Sequence, residues 1–156
     1  MRRAILLLCS HAATLAVGFA LGIYALPILI APDAPDGQAV RAAASDAVFS
    51  GTFRRDLQDS DALHWGEGTV TLSPTRIALQ GRLSPGPDYK LYLSPAFVET
   101  EADFARLKPQ MQRVGDVKTF DNFIVDLPPG VDLQRFNPVI VWCETFREFI
   151  TAAQFR

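Results

Sequence analysis

Between Arg3 and Asp33 the chain carries no charge: Ala4 to Ala31 is an uninterrupted stretch of 28 uncharged residues. A helix of about 20 apolar residues crosses the hydrocarbon core of a bilayer, so this segment dictates a helix and leaves the rest of the chain to fold apart from it. Its polar residues Ser10, His11 and Thr14 fall in the first half and cost less in lipid than a charge would. A secretory signal has a shorter apolar region, roughly 7–15 residues, followed by a small-residue cleavage site. Here the apolar run continues through Ile23, Tyr24, Leu26 and Ile28, and the small run Ala42-Ala43-Ala44 lies well beyond it. We read residues 1–31 as an uncleaved membrane anchor; a removed signal peptide is the alternative. Leu8 before Cys9 is too large for a lipid-attachment signal, and too few apolar residues precede it.

Charge sets the orientation. Arg2 and Arg3 flank one end, Asp33 and Asp36 the other. Cationic flanks stay cytoplasmic, which predicts a single pass through an inner or plasma membrane with the remainder in the periplasm or outside the cell. Residues 32–47, with Pro32, Asp33, Pro35, Asp36 and Gly37, have turn and extended chemistry and read as a linker. Ala39–Ala47 could add a helical turn but lacks a hydrophobic face long enough to pack by itself.

Residues 48–156 suffice for one domain. The whole chain has 15 Lys+Arg against 17 Asp+Glu, a net charge of −2, which argues against a nucleic-acid partner. Charged residues make up 21% and hydrophobic ones 49%, so the chain is not disordered as a whole. Two cysteines, Cys9 and Cys143, and two histidines, His11 and His64, exclude a disulfide-stapled fold and a multi-cysteine metal site.

Glycines and prolines punctuate the domain from Gly51 to Pro138, and the runs between them are short and rich in β-branched and aromatic residues. That pattern predicts an all-β, antiparallel β-sandwich of jelly-roll or Ig-like type with one short helix. Val70 and Leu72 alternate with threonines; Tyr89, Leu91 and Leu93 alternate with Lys90, Tyr92 and Ser94; Phe123, Val125 and Leu127 alternate around Ile124 and Asp126. Period two buries one face. Val139-Ile140-Val141-Trp142-Cys143 is apolar on both faces and reads as a central, doubly covered strand. In it Val139, Val141 and Cys143 point one way, and Ile140, Trp142 and Glu144 the other. Phe146–Phe155 is expected to pair beside it after a bend. Thr100 as N-cap, Asp103 in the first turn and the stripe Ala102, Phe104, Ala105, Leu107 predict the helix, which Pro109 should stop. A second short turn is expected over Val131–Phe136.

The familiar catalytic patterns are absent: there is no Gly-rich phosphate loop, no paired His at helical spacing and no Gly-x-Ser-x-Gly. Carboxylate pairs such as Asp59 with Asp61, or Glu99 with Glu101 and Asp103, read as solvated loops, with a surface calcium site in the Asp56–Asp61 loop as the alternative. Cys143 is the only thiol of an oxidising outer compartment. It is either a buried apolar filler or a redox or ligand group, for which a nearby cation such as Arg147 would help. His64 is either a half-exposed imidazole held by a loop or an axial haem or metal ligand, alone or with Cys143. Met111 could be a soft ligand, though packing is the ordinary role of a loop methionine.

Several stretches carry a family resemblance. Gly51-Thr52-Phe53 opens the domain. His64-Trp65-Gly66-Glu67-Gly68-Thr69-Val70 forms a histidine plus a glycine-rich hairpin. Gly86-Pro87-Asp88-Tyr89-Lys90-Leu91-Tyr92-Leu93-Ser94 is a Gly-Pro-Asp turn leading into a Tyr-Leu-Ser strand. Val139–Cys143 with Phe146 is a terminal Trp-Cys strand, and Val114-Gly115-Asp116-Val117-Lys118 is a Gly-x-x-Lys turn. In order and spacing over residues 48–156 these resemble the DM-thirteen domain, an electron-transfer module associated with DOMON domains. Phe120-Asp121-Asn122-Phe123 departs from the family's usual Gly and Gln-x-Tyr-like run. The resemblance implies a β-sandwich-like domain whose single cysteine, here Cys143, acts in redox chemistry as a bare thiol or by holding a prosthetic group such as haem.

The sequence thus predicts a membrane-anchored, outward-facing redox accessory module, not a stand-alone enzyme. Cys143 is its redox candidate, Cys143 and His64 are candidates for holding a cofactor, and a redox partner protein is expected. The alternative is a non-enzymatic binding or adhesion module with a structural cysteine, presenting loops such as Ser84–Asp88. An anchored enzyme with its own turnover is a third reading.

Overall fold

The charge-free stretch forms a single helix, α1 (Arg2–Ile30), with no buried side chain. Its most apolar window has a mean hydropathy of 2.1, so the helix is long and apolar enough to cross a membrane. The computed structural model describes residues 1–156. After α1 come α2 (Gly37–Ala43), β1 (Phe49–Phe53), β2 (Gly66–Leu72), β3 (Arg76–Leu83) and β4 (Tyr89–Leu93). They are followed by α3 (Glu101–Leu107), β5 (Gln112–Val117), β6 (Asp121–Asp126), β7 (Pro138–Cys143) and β8 (Glu148–Gln154).

Eight strands make two antiparallel four-stranded sheets in the orders β1-β2-β3-β6 and β5-β4-β7-β8, a β-sandwich-like fold. The alternating residues meet between the sheets. Val70 and Leu72 of β2, Tyr89, Leu91 and Leu93 of β4, and Phe123 of β6 join Val139, Val141 and Cys143 of β7 in one core. Period-two patterning therefore places one face of each strand inward. At Gly68, where φ is 124°, the strand pairs with Gly81. A side chain on either would strike the backbone of the other strand, so the glycine pair sets how closely β2 and β3 approach.

β7 is buried at all six positions. Its second apolar face exists because α3 covers it: Ile140 and Trp142 pack with Phe104 and Leu107 in a separate cluster. Pro138 sits at the first position of β7, where a missing N–H is tolerated. α3 begins where its sequence signal lies, with the Thr100 hydroxyl accepting the Asp103 N–H at 3.1 Å. The α-helix ends at Leu107, before Pro109, as expected. The chain then tightens into a 3-10 turn over Lys108–Gln110, because an N–H lost near the start of such a turn has no partner to leave unpaired. A second 3-10 turn covers Leu133–Arg135. β8 pairs antiparallel with β7, as the bend after Cys143 predicts.

Residues 37–43 differ from a free linker. Asp36 caps α2 by accepting the N–H groups of Gln38 and Ala39, and Val40 and Ala43 bury against Ala78, with Ile124 alongside. Two small residues suffice because Ala78 leaves a shallow seat on the outer face of β3.

Candidate functional site

The connection from β3 to β4, Ser84–Asp88, crosses from one sheet to the other and gathers the site. Two segments distant in sequence are tied to it. The Ser84 N–H donates to the Trp65 carbonyl at 2.9 Å, and the Trp65 N–H donates to the Ser84 hydroxyl at 3.1 Å. This pins the residues before β2, His64 among them, to the loop. The Cys143 thiol at the end of β7 donates to the Pro87 carbonyl at 3.0 Å. Tyr89 is the cross-strand partner of Cys143, and its phenol donates to the Ser84 carbonyl at 3.0 Å. Gly86 is required here because a Cβ would strike the Tyr89 phenol.

His64 and Cys143, 79 residues apart in sequence, thereby line one cavity of about 260 Å³ together with Tyr89, the Pro85–Pro87 loop, Phe146 and Ile150. Its other wall is Ala20, Ile23 and Tyr24 of α1. Leu63 and Phe146 are exposed apolar side chains at its edge. Glu148 is the single charged side chain that lines it.

Burial pushes the Cys143 thiol above its ordinary value. The N–H groups of Phe146 and Thr145 pull the other way without overturning the rise, and Asp88 and Glu148 add to it. The sulfur is a protonated thiol at neutral pH, with two backbone donors ready for a thiolate. Arg147 does not lower it: that residue is exposed in the turn after β7, at φ 60°. Burial also raises the Tyr89 phenol, despite its bond to Ser84.

The His64 ring is held by an Asp61 carboxylate oxygen 3.1 Å from Nδ1. The same carboxylate accepts the N–H groups of Leu63 and His64, each at 2.7 Å. Burial raises the Asp61 carboxyl, but the N–H of Leu63 and the His64 ring outweigh it and leave a net lowering. The other acids of this loop are likewise engaged: Asp59 accepts the Glu101 N–H at 2.8 Å, and Asp56 pairs with Arg54. No three His, Cys, Asp or Glu side chains gather as a metal set. Met111 packs against the outer cluster under α3, away from the cavity.

The lining of this cavity offers a haem little to hold. Its volume falls below the roughly 300–1,000 Å³ of clefts for drug-sized ligands, and no Lys or Arg lines it to receive propionates. Three features of the site had no clear sequence signal. One is the wall from α1. Another is the placement of Tyr89 opposite Cys143, which its alternation marked only as core. The third is Arg55, whose guanidinium lies 3.3 Å from the Trp65 ring centroid and forks onto Glu67 at 2.7 and 3.0 Å, fixing the residue beside His64.

No curated protein and no solved structure matches the chain. A family model described as Electron transfer DM13 matches residues 53–155, about two thirds of the chain, and the match spans His64, the Ser84–Asp88 loop, Tyr89 and Cys143. The chain belongs to the Electron transfer DM13 family.

Proposed function

We propose that this protein is a membrane-anchored redox accessory module in which Cys143, acting as a bare thiol, is the redox group and His64 its neighbour in the same cavity. The proposed organisation is an anchor at 1–31, a linker at 32–47 and a DM13 domain at 48–156. The anchor passes once through an inner or plasma membrane, and the domain stands in the periplasm or outside the cell. Eight strands in two facing sheets support a jelly-roll or Ig-like assignment. The observation that carries the functional reading is the convergence of the domain's single thiol and single histidine on one cavity.

The chemistry open to a lone thiol is exchange with a disulfide. Cys143–SH and a partner disulfide R–S–S–R′ give Cys143–S–S–R and R′–SH, with the thiol proton ending on the released sulfur. The N–H groups of Thr145 and Phe146 receive the transient thiolate, and the raised thiol makes the step proton-coupled. A thiol of the redox partner closes the cycle, since the domain has no second cysteine. The test uses the full chain with Cys9→Ser, so that Cys143 is the one thiol. Incubation with glutathione disulfide yields one mixed disulfide per folded chain, and Cys143→Ser abolishes it. A folded chain that never forms the adduct refutes the reading.

One observation favours a second reading, a binding module with a structural cysteine. Cys143 is only 2% exposed and belongs to the inter-sheet core. In that case the thiol is inert and the Ser84–Asp88 loop serves as a contact surface.

A further inference from the structure

We propose that the cavity between α1 and the Ser84–Asp88 loop binds a bilayer-soluble lipid with a flat, uncharged, hydrogen-bonding ring head, of the quinone class. This rests on the reading of α1 as a retained anchor. It does not require electron transfer through Cys143.

Position comes first. α1 has 29 residues, and at about 1.5 Å per residue it is about 44 Å long, about nine residues more than a 30 Å hydrocarbon core needs. Twenty residues counted from Ala4 end at Ile23. Ile23 and Tyr24, which wall the cavity, therefore stand where the helix leaves the hydrocarbon, and a tyrosine suits that level. The domain meets this level with the exposed apolar side chains of Leu63 and Phe146. A cavity walled on one side by a membrane helix opens laterally to lipid.

Chemistry selects the head. The one charged lining group is the acid Glu148, and no Lys or Arg is present, so a phosphate headgroup is repelled. Tyr24, Tyr89 and Phe146 supply ring surfaces for a flat head. With Nδ1 of His64 held by Asp61, Nε2 is the ring nitrogen left to hydrogen-bond the polar group of the head. A volume of about 260 Å³ suits a single substituted ring, with the tail left to the bilayer.

The experiment uses the full chain in phosphatidylcholine nanodiscs, with a decyl-tailed benzoquinone as probe and quenching of tryptophan fluorescence as readout; Trp65 adjoins His64. Wild type gives saturable quenching. Ala20→Trp fills the cavity from a lipid-facing helix, where it cannot unfold the domain, and weakens binding by about tenfold or more. Leu15→Trp, on the same helix outside the cavity, leaves binding unchanged. Each variant is compared through its own titration midpoint, because both add a tryptophan. Non-saturable quenching, or equal midpoints for wild type and Ala20→Trp, overturns the proposal. Competition by phosphatidylglycerol overturns it in favour of a phosphate headgroup, and a mature chain lacking residues 1–31 by mass spectrometry overturns it outright. Cys143→Ser separates the two readings. Lost disulfide exchange with retained quinone binding is expected if both hold. Intact exchange without saturable quenching refutes only the quinone site, and absent exchange in the Cys9→Ser chain with saturable quenching refutes only the thiol.

Discussion

The end of β7 places two chemistries back to back. On the inner side, Cys143 faces the cavity with one hydrogen bond, no nearby cation and a thiol raised by burial. On the outer side, Glu144 accepts the Tyr92 phenol and both bonds of the Lys108 ammonium, at 2.7 and 2.9 Å. Beside it Phe104 stacks on Trp142 at 3.8 Å between ring centroids and 6° between planes, and meets Tyr92 edge-on at 5.2 Å. The outer groups bond to one another, and among them only the Trp142 indole N–H has no partner. The inner groups border an open volume. The difference teaches that the outer cluster clamps α3 to the sheet, whereas the inner side leaves a cavity beside the thiol.

The strongest way to break this comparison is Phe104→Ala. Phe104 is fully buried and is the only ring that touches both Trp142 and Tyr92. Removing it costs about 3–5 kcal/mol, the range for a large core aromatic. Urea unfolding of the full chain measures the loss. A cost below about 1 kcal/mol would mean that α3 is not clamped by this cluster.

Much of this outer side was legible in the chain. β7 is apolar at both parities, with Val139 and Val141 on one face and Ile140 and Trp142 on the other, which demands a cover for the second face, and Thr100 with Asp103 announces the helix that provides it. The inner site was legible only as separate residues. Cys143 and His64 stand out by scarcity, but their meeting depends on Ser84 and Pro87, two ordinary loop residues whose backbone groups tie the segments together. Such ties leave no periodicity, since a backbone carbonyl is present at every position. Docking of α2 was hidden for another reason: Val40 and Ala43 form too small an apolar face to announce packing, and their seat depends on Ala78 being small.

A middle-sized effect sharpens the outer half. Burial pushes the Glu144 carboxyl up, but Lys108 and the Tyr92 phenol outweigh it and leave a net lowering. A carboxyl lowered on folding contributes stability that is full above its ordinary value of 4.5. That stability is lost as pH falls through the folded value. Glu144→Gln should cost about 1–2 kcal/mol at neutral pH, between an exposed ion pair and a hydrogen bond to a buried charge. The gap between variant and wild type should hold level near neutrality and close as the medium is acidified below 4.5. Urea midpoints across a pH series check this. A gap that widens with acid would reverse the sign and remove Glu144 from the clamp.

The smallest effect on stability should come from the inner half, and it discriminates best. Cys143→Ala deletes one sulfur beside a volume that is already open, so it costs about 0.5–1.5 kcal/mol, the scale of one buried methyl. The reactivity of the thiol carries the contrast instead. A raised thiol means less thiolate at every pH than in the unfolded chain. In the Cys9→Ser background, iodoacetamide should therefore label folded Cys143 more slowly than the urea-unfolded chain, with a rate midpoint above the ordinary 9.0. The rise in rate must also track the cavity: Ala20→Trp, which narrows the approach from α1, should slow labelling without moving the midpoint, because it changes access and not charge. A midpoint below 9.0 would require a cation at the sulfur and would make the inner side resemble the outer. Labelling indifferent to Ala20→Trp would mean that reagents reach the sulfur by another route, and the opposition between a clamped outer face and an open inner one would then rest on the wrong opening.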